Sequence, residues 1–252
     1  MSQRSDQKNW RVEATISSPL AGEAPMLDAI LEFEMSHRTG KAYKITRDVS
    51  CPPAGDVHLP LLRGSIGGVA GIPRCSSPIV IPLSSPNNTA PITREYYTKR
   101  LATEHAENLA TRSRNVVAVG NQTFKSYRIP VVSQCVAKVC WFVGGSKRRN
   151  LLSLLDSVKS LGHKRSQGRG RVVKWEAYPV EEDWSWFAPC LKSDGTSEVD
   201  PASGKGELLV LMRPLPWCSE LPKNLVGYRR GFAGVLPPYW HPDRQVEVVL
   251  PC

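Results

Sequence analysis

The first apolar pattern along the chain has a period of two residues and predicts a β-strand. Residues 10–17 alternate apolar and polar side chains, and the apolar set is Trp10, Val12, Ala14 and Ile16. This is the period of a strand with one buried face. Residues 25–38 then show apolar side chains at helical spacing, with Pro25 at a first helical position and Gly40 just past the end. A strand followed by a helix therefore opens the fold.

The clearest unit lies between residues 131 and 178. Residues 131–143 are long and rich in β-branched side chains, which predicts a central strand. Ser146 then caps a predicted helix with a broad leucine-rich face, and Gly162 ends it. Residues 172–178 predict another strand. The chain is thus expected to form a strand, a helix, a glycine-rich basic loop and a strand in succession.

The rest of the chain divides around this unit. Residues 57–84 predict short strands around a glycine-rich turn, with a helix beginning near Ser65. A charged amphipathic stretch from residue 95 to 112 indicates an insertion that projects from the sheet, and the tail predicts strands at 207–212 and 245–250. The predicted organisation is a first core part at 1–85, an insertion at 86–130, a second core part at 131–178 and a β-rich region at 179–252.

Positive charge is concentrated in one part of the chain. Lys and Arg number 33 against 23 Asp and Glu, for a net charge of +10. Between Gly144 and Trp175 there are nine basic side chains and one acidic, so most of the excess is local. A local excess is typical of a surface that binds a polyanion such as nucleic acid. A solvated helix face beside a mobile loop is the alternative, and it explains the charge but not the glycines.

Residues 162–171, GHKRSQGRGR, combine three glycines with four Lys or Arg side chains. Glycine lets a backbone approach a ligand closely, and arginine binds phosphate and stacks on bases. A loop held at both ends suits a bent single-stranded RNA, whereas a disordered RGG-like binder would lack the apolar flanks. The predicted RNA-binding residues are Lys147, Arg148, Arg149, Gly162, His163, Lys164, Arg165, Ser166, Gln167, Gly168, Arg169, Gly170 and Arg171.

Other chemistry has weaker signals. The chain lacks GxxxxGK[ST] and GxGxxG patterns, and its seven cysteines lack CxxC spacing, so we expect reduced thiols, no metal and no cofactor. Metal-independent RNA cleavage stays open, although no spacing pairs the acid–base candidates His37, His58, His163 and His241 with each other or with Tyr127 or Tyr239. No apolar run approaches the ~18 residues that span a bilayer, so we expect a cytoplasmic protein that binds no membrane.

These motifs together resemble the RAMP superfamily of CRISPR-associated RNA-binding proteins. The glycine loop that precedes their final core strand is matched by LGHKRSQGRGRV at 161–172. Several members also have a turn in which a proline is followed a few residues later by Gly-Ser, and HLPLLRGSIGGVAG at 58–71 is similar to it. PMLDAILEF at 25–33 and PPYWHPDR at 237–244 are similar to the subunit of type IV CRISPR effector complexes that caps the 5′ end of the guide RNA.

The resemblance implies an α+β fold with a ferredoxin-like or RRM-like core, a thumb insertion at 86–130 and an irregular C-terminal β extension. It also implies a non-catalytic protein that binds the 5′ handle of CRISPR RNA and caps the backbone filament. The implied partners are CRISPR RNA, the backbone subunit, a large-subunit-like protein and target DNA near the protospacer-adjacent motif. The alternatives are an endoribonuclease that processes precursor RNA and a general single-stranded nucleic-acid binder outside CRISPR. The thumb candidates for partner contact are Lys99, Arg100, Arg112, Arg114, Lys125, Tyr127 and Arg128.

Overall fold

A computed structural model describes residues 8–39, 59–83, 92–99, 127–190, 207–237, 239 and 244–251, with the backbone alone at 93–99 and 127–129. Two α-helices, α1 (Leu27–Arg38) and α2 (Arg148–Leu155), lie in this part of the chain. The strands are β1 (Lys8–Ile16), β2 (Leu20–Ala21), β3 (Arg63–Ile66), β4 (Val69–Pro73), β5 (Ile79–Pro82), β6 (Ile92–Lys99), β7 (Tyr127–Gln134), β8 (Val136–Ser146), β9 (Val172–Val180), β10 (Phe187–Pro189), β11 (Leu209–Leu211), β12 (Leu215–Pro216), β13 (Leu225–Val226), β14 (Tyr228–Gly234) and β15 (Gln245–Pro251). The predicted mixed α+β class is confirmed.

A four-stranded antiparallel sheet lies at the centre of the fold. Its spatial order is β5-β8-β1-β9. Strands β1 and β5 run in the same direction, because each is antiparallel to β8, which lies between them. Helix α1 lies between β1 and β5 in the chain, and α2 lies between β8 and β9. Each helix therefore connects two strands that run in the same direction with another strand between them.

One face of this sheet packs against both helices. The alternating residues Val12 and Ala14 of β1 are fully buried there, as the period-two pattern predicted. Leu27 and Leu31 of α1 and Leu151 and Leu155 of α2 complete the same hydrophobic core. Each buried aliphatic side chain of this kind contributes roughly 1.5–3 kcal/mol. Burial of these apolar side chains therefore holds both helices against the sheet.

Helix α2 is shorter than predicted. It ends at Leu155, although its apolar pattern continues to Leu161. The chain leaves the helix because the backbone around residues 159–161 bonds to the approach to β9. The Leu161 amide donates to the Gly170 carbonyl at 2.8 Å, and the Val172 amide donates to the Lys159 carbonyl at 2.9 Å. Leu161 stays buried in the core. The apolar pattern therefore predicted correctly which residues are buried, but it predicted too long a helix.

The strand predicted at 131–143 is two strands. Strand β7 ends at Gln134 and pairs with β2 and β6, whereas β8 begins at Val136 and enters the central sheet. The Cys135 carbonyl between them accepts a hydrogen bond from the Leu83 amide at 3.1 Å. The chain therefore changes sheets at Cys135, which an uninterrupted run of strand-forming residues does not reveal.

Short antiparallel strands fill the remaining regions. Ser65 lies in β3, which pairs with β4 across a turn at Gly67 and Gly68, so the helix predicted near Ser65 is wrong. The strands predicted at 207–212 and 245–250 are confirmed as β11 and β15. They belong to two three-stranded sheets, β10-β11-β13 and β12-β15-β14. A second hydrophobic cluster joins these sheets to the β3–β4 hairpin through Ile66, Ile72, Trp186, Leu211, Leu215, Leu225 and Val249.

A fully buried arginine joins α1 to the C-terminal region. The Arg213 guanidinium donates to the carbonyls of Pro73 at 2.7 Å and of Val235 at 3.1 Å, and it lies 3.5 Å from the Asp28 carboxylate. The Tyr239 hydroxyl donates to the same carboxylate. Burial by itself lowers the pKa of Arg213, but the neighbouring Tyr239 and Asp28 hold it above its ordinary value. The ion pair is thus fixed by hydrogen bonds from several elements.

Replacing Asp28 with alanine tests this buried ion pair. The change leaves the Arg213 charge without its carboxylate in a place that water does not reach, so we expect the free energy of unfolding to fall by about 3–5 kcal/mol. Urea denaturation measures the loss. The matched control is Glu176→Ala, which breaks the exposed 2.7 Å pair with Lys174 and should change stability little. Equal effects of the two substitutions would contradict a structural role for the Asp28 carboxylate.

Candidate nucleic-acid interface

The segment that follows β1 anchors the glycine-rich loop 162–171. The Ser17 amide donates to the Arg171 carbonyl at 2.9 Å, and the Gly170 amide donates to the Pro19 carbonyl at 3.0 Å. At the other end of the loop, the His163 amide donates to the Ala21 carbonyl at 2.8 Å. One segment, residues 17–21, therefore holds both ends of the loop.

The Ser18 side chain adds a third attachment. Its hydroxyl donates to the Gly168 carbonyl at 2.7 Å and accepts a hydrogen bond from the Arg171 amide at 2.9 Å. Between the attachments the chain makes a short 3-10 helix at Arg165–Gln167, entered through Lys164 with a φ of 57°. The loop is consequently a fixed part of the fold, as predicted for a loop held at both ends.

Two of the three glycines are required by the fold itself. A Cβ at Gly170 would lie 2.0 Å from the Leu161 carbonyl oxygen, and one at Gly162 would lie 2.6 Å from the Ala21 carbonyl oxygen. At Gly168 no described atom lies within 4 Å of that position. We expected the glycines to let the backbone approach a ligand. The structure instead uses Gly162 and Gly170 to pack the loop onto the chain, and open space remains at Gly168.

The loop presents its polar side chains at the surface. Arg165 and Arg171 are exposed, and so are His163, Ser166 and Gln167. Lys164 and Arg169 are half-buried. The backbone is therefore anchored while most of the predicted phosphate-binding side chains face solvent. Such an arrangement binds an anionic ligand with little further ordering of the backbone.

The structure does not bring Lys147, Arg148 and Arg149 next to the loop. They follow β8 at its end, where Ser146 pairs with Lys8, whereas the loop meets β9 where Val172 pairs with Ile16. Eight residues of β1 separate these points, which is roughly 26 Å at about 3.3 Å per residue. Arg148 also donates to the Ala177 carbonyl at 3.1 Å. The two basic groups therefore lie at opposite ends of the central sheet.

The predicted thumb residues fall on a β-hairpin or outside the described residues. Strands β6 and β7 are antiparallel, with Lys99 opposite Tyr127 and Thr98 opposite Arg128. The first part of the predicted amphipathic stretch is thus a strand. Positions outside the described residues are Arg100, Arg112, Arg114, Lys125, His58 and His241.

Charges on the sheet face that lies away from the helices are paired with each other. The Glu13 carboxylate contacts Arg11 at 2.8 Å and Lys138 at 2.7 Å. Hydrogen bonding to Glu13 raises the pKa of Lys138, and hydrogen bonding to Lys174 lowers the pKa of Glu176. Two carboxylates therefore pair with three cations on this face, which reduces the positive charge available to a phosphate there.

A cleft of about 520 Å³ lies between α1 and the glycine-rich loop. Phe33 and Ile30 of α1 line one side, and Gly162, His163 and Arg165 line the other. The Phe33 side chain is 52% exposed, and its ring stacks on His37 with centroids 6.4 Å apart. Sequence analysis missed this cleft. The available signal was an aromatic residue placed off the buried stripe of an amphipathic helix.

Tyr239 lines the cleft, and its hydroxyl has two structural partners. Burial raises the pKa of Tyr239 above its ordinary value, and the nearby Asp28 charge adds to the shift. The Tyr239 hydroxyl contacts both Asp28 and Arg213. His163 lines the same cleft. Two of the acid–base candidates are thus brought to one place, with the tyrosine held in the buried ion-pair network.

Comparison with known proteins leaves the family open. No protein-family model matches the chain, and no curated protein sequence matches it significantly. Neither described helix is long and apolar enough to cross a membrane. Functional conclusions therefore rest on the loop, the cleft and their surroundings.

Alanine at Gly170 should destabilise the protein far more than alanine at Gly168. Both glycines have positive φ, which costs an L-residue on the order of 1 kcal/mol. Only the Gly170 change also forces a Cβ against backbone. We expect Gly168→Ala to lower the free energy of unfolding by about 1 kcal/mol and Gly170→Ala by more than about 3 kcal/mol. Similar losses in thermal denaturation would show that the loop is not packed as described.

Hydrogen exchange provides a direct measurement of the loop anchoring. The His163 and Gly170 amides donate to backbone carbonyls, whereas Arg165 and Ser166 open the 3-10 helix, where an amide has no acceptor within its own turn. We expect the first two amides to exchange at least about tenfold more slowly than the other two. Uniformly fast exchange throughout 162–171 would contradict an anchored loop.

Proposed function

We propose that this protein is a non-catalytic RNA-binding subunit of a CRISPR effector complex. In this proposal the glycine-rich loop binds the phosphates of the 5′ handle of CRISPR RNA, and the chain caps the backbone filament. The observation that supports it best is the loop itself, whose backbone is bonded to residues 17–21 while Arg165 and Arg171 are exposed. An anchored cationic loop suits a curved single strand, whose shape it can match.

The topology supports a ferredoxin-like core. Reduced to its central sheet and helices, the chain order is β1-α1-β5-β8-α2-β9, a βαββαβ succession. Numbering those four strands along the chain, the spatial order β5-β8-β1-β9 becomes 2-3-1-4 with all neighbours antiparallel. This is the split βαβ arrangement expected of the RAMP core. The anchored loop precedes the final core strand, which is the position that the resemblance requires.

Single-stranded RNA fits this site better than duplex DNA does. The cations lie on a short loop of ten residues rather than along a helix able to enter a major groove. Arginine side chains on such a loop can bind phosphates and stack on unpaired bases. Because Lys147, Arg148 and Arg149 lie roughly 26 Å away at about 3.3 Å per residue, we assign them to a separate contact.

The remaining partners follow from the same proposal. The hairpin of β6 and β7, with residues 100–126 between its strands, is proposed as the thumb that contacts the adjacent backbone subunit. A large-subunit-like protein and target DNA near the protospacer-adjacent motif are the other proposed partners. They have no assigned surface on the described residues.

RNA cleavage is the second candidate function. The observation that favours it is the presence of His163 and Tyr239 on the same cleft. The raised pKa keeps the Tyr239 hydroxyl protonated, and the hydroxyl donates its proton to Asp28, so this tyrosine is not available as a general base. Labelled repeat RNA, incubated with the purified protein and a chelator, distinguishes the two functions. Site-specific cleavage that disappears in a His163→Ala variant would replace the binding role with a catalytic one.

Two double substitutions that remove equal charge test the assignment of the loop. Arg165→Ala with Arg171→Ala should lower single-stranded RNA affinity, because two exposed loop cations are removed. Each lost phosphate contact should also reduce the slope of log affinity against log salt by roughly 0.7. Fluorescence anisotropy over a salt series measures both quantities.

The control is Lys147→Ala with Arg149→Ala, at the opposite end of the central sheet. These side chains are exposed, as Arg165 and Arg171 are, so both variants should remain folded. We expect a smaller loss for a short RNA that spans the loop alone. If the loop variant binds as tightly as the native protein, with an unchanged salt slope, the proposed function is wrong.

A further inference from the structure

The cleft between α1 and the glycine-rich loop has the composition of a site for a flat, mostly apolar group. Its volume of about 520 Å³ lies within the roughly 300–1,000 Å³ of small-molecule sites. Apolar side chains, among them Met26, Ile30 and Leu161, form most of its lining. Polar groups lie on both sides, with Arg165 on the loop and Glu34 on α1. A ligand with an apolar face and polar edges matches this lining.

Phe33 supplies an aromatic surface at the cleft. More than half of its side chain is exposed although it lies in the middle of α1. Burying such a ring against a planar ligand is favourable both through lost apolar exposure and through stacking geometry. The ring already stacks on His37, with an angle of 28° between the planes. That contact limits the orientations available to the Phe33 ring.

Charge is unequally divided across the cleft. The loop side contributes the Arg165 cation, and α1 contributes the Glu34 carboxylate. The Glu34 carboxylate repels a phosphate, so a nucleotide would place its phosphate along the loop. Carboxylates also accept hydrogen bonds from ring and exocyclic N–H groups. A nucleotide therefore fits in one orientation, with its phosphate at the loop and its base toward α1.

The position of His163 is fixed by close packing. A Cβ at Gly22 would lie 2.0 Å from the His163 Cδ2 atom, so the imidazole lies directly against the Gly22 backbone. The His163 amide also bonds to Ala21. The loop side of the cleft is consequently anchored by the same segment that anchors the loop.

We infer that this cleft binds one unstacked nucleobase of the single-stranded RNA whose phosphates contact the loop. The base stacks on Phe33, and its edge faces the Glu34 carboxylate of α1. This inference rests on the proposed function and adds a base-binding site to a phosphate-binding loop. The cleft lies beside the loop, so one nucleotide can occupy both.

The test compares two probes that differ only in their bases. One is a short oligoadenylate RNA, and the other is an abasic ribose-phosphate strand of equal length. In the native protein we expect the oligoadenylate to bind about tenfold more tightly, since one stacked base contributes about that factor. Phe33→Ala should remove this difference and leave both the affinity for the abasic strand and the salt slope unchanged. The control is Phe232→Ala, a 78% exposed phenylalanine on β14, outside the cleft lining.

Each outcome has a separate meaning. If Phe33→Ala weakens both probes equally, or weakens neither, the base-binding site is wrong even when the loop variants behave as expected. If the loop substitutions change neither affinity nor salt slope, the proposed function fails instead. Adenosine has no phosphate, so its binding gives a readout that does not depend on phosphate contacts with the loop. It should shift the Phe33 ring resonances in the NMR spectrum of the native protein, and the absence of any shift would also overturn the inference.

Discussion

Backbone pairing between residues 17–21 and the loop before β9 is the constraint on which the candidate site depends. Strand β1 is central in its sheet, and the segment just beyond its end bonds to both ends of the loop. The Leu161 amide, just before the loop, donates to the Gly170 carbonyl near its end. A stretch of ten residues rich in glycine would otherwise sample many conformations at a large entropic cost to any ligand that ordered it.

Because of this anchoring, the glycines and the arginines of the loop have different roles. Gly162 and Gly170 are occupied by contacts with the chain's own backbone, so the ligand surface consists mainly of side chains. Arg165 and Arg171 stay exposed, while the cations of the helix-free sheet face are paired with Glu13 and Glu176. The exposed cations of this region therefore lie in two groups, one on the loop and one at Lys147 and Arg149 at the opposite end of the sheet.

The buried ion pair of Arg213 and Asp28 connects α1 to Tyr239, which lines the cleft. Asp28 belongs to α1, and Tyr239 connects the same carboxylate to the C-terminal region. Buried ion pairs seldom add much net stability, but breaking one is costly and the bonds that satisfy it are directional. Arg213 and the hydrophobic core thus hold α1 against the rest of the fold, and the helix side of the cleft is built on these contacts.

Elements with a pattern in neighbouring residues could be predicted from the sequence. The period-two pattern of β1, the apolar stripe of α1, the strand β9 and the basic glycine-rich loop were all predictable from neighbouring residues. Tertiary structure decided where backbone hydrogen bonds go. It ended α2 at Leu155, moved the chain between sheets at Cys135 and placed Lys147 far from the loop. The periodicity of apolar residues shows which side of an element is buried. Hydrogen-bond partners, and the two sides of the cleft between α1 and the loop, belong to segments far apart in the chain. No local pattern therefore predicts them.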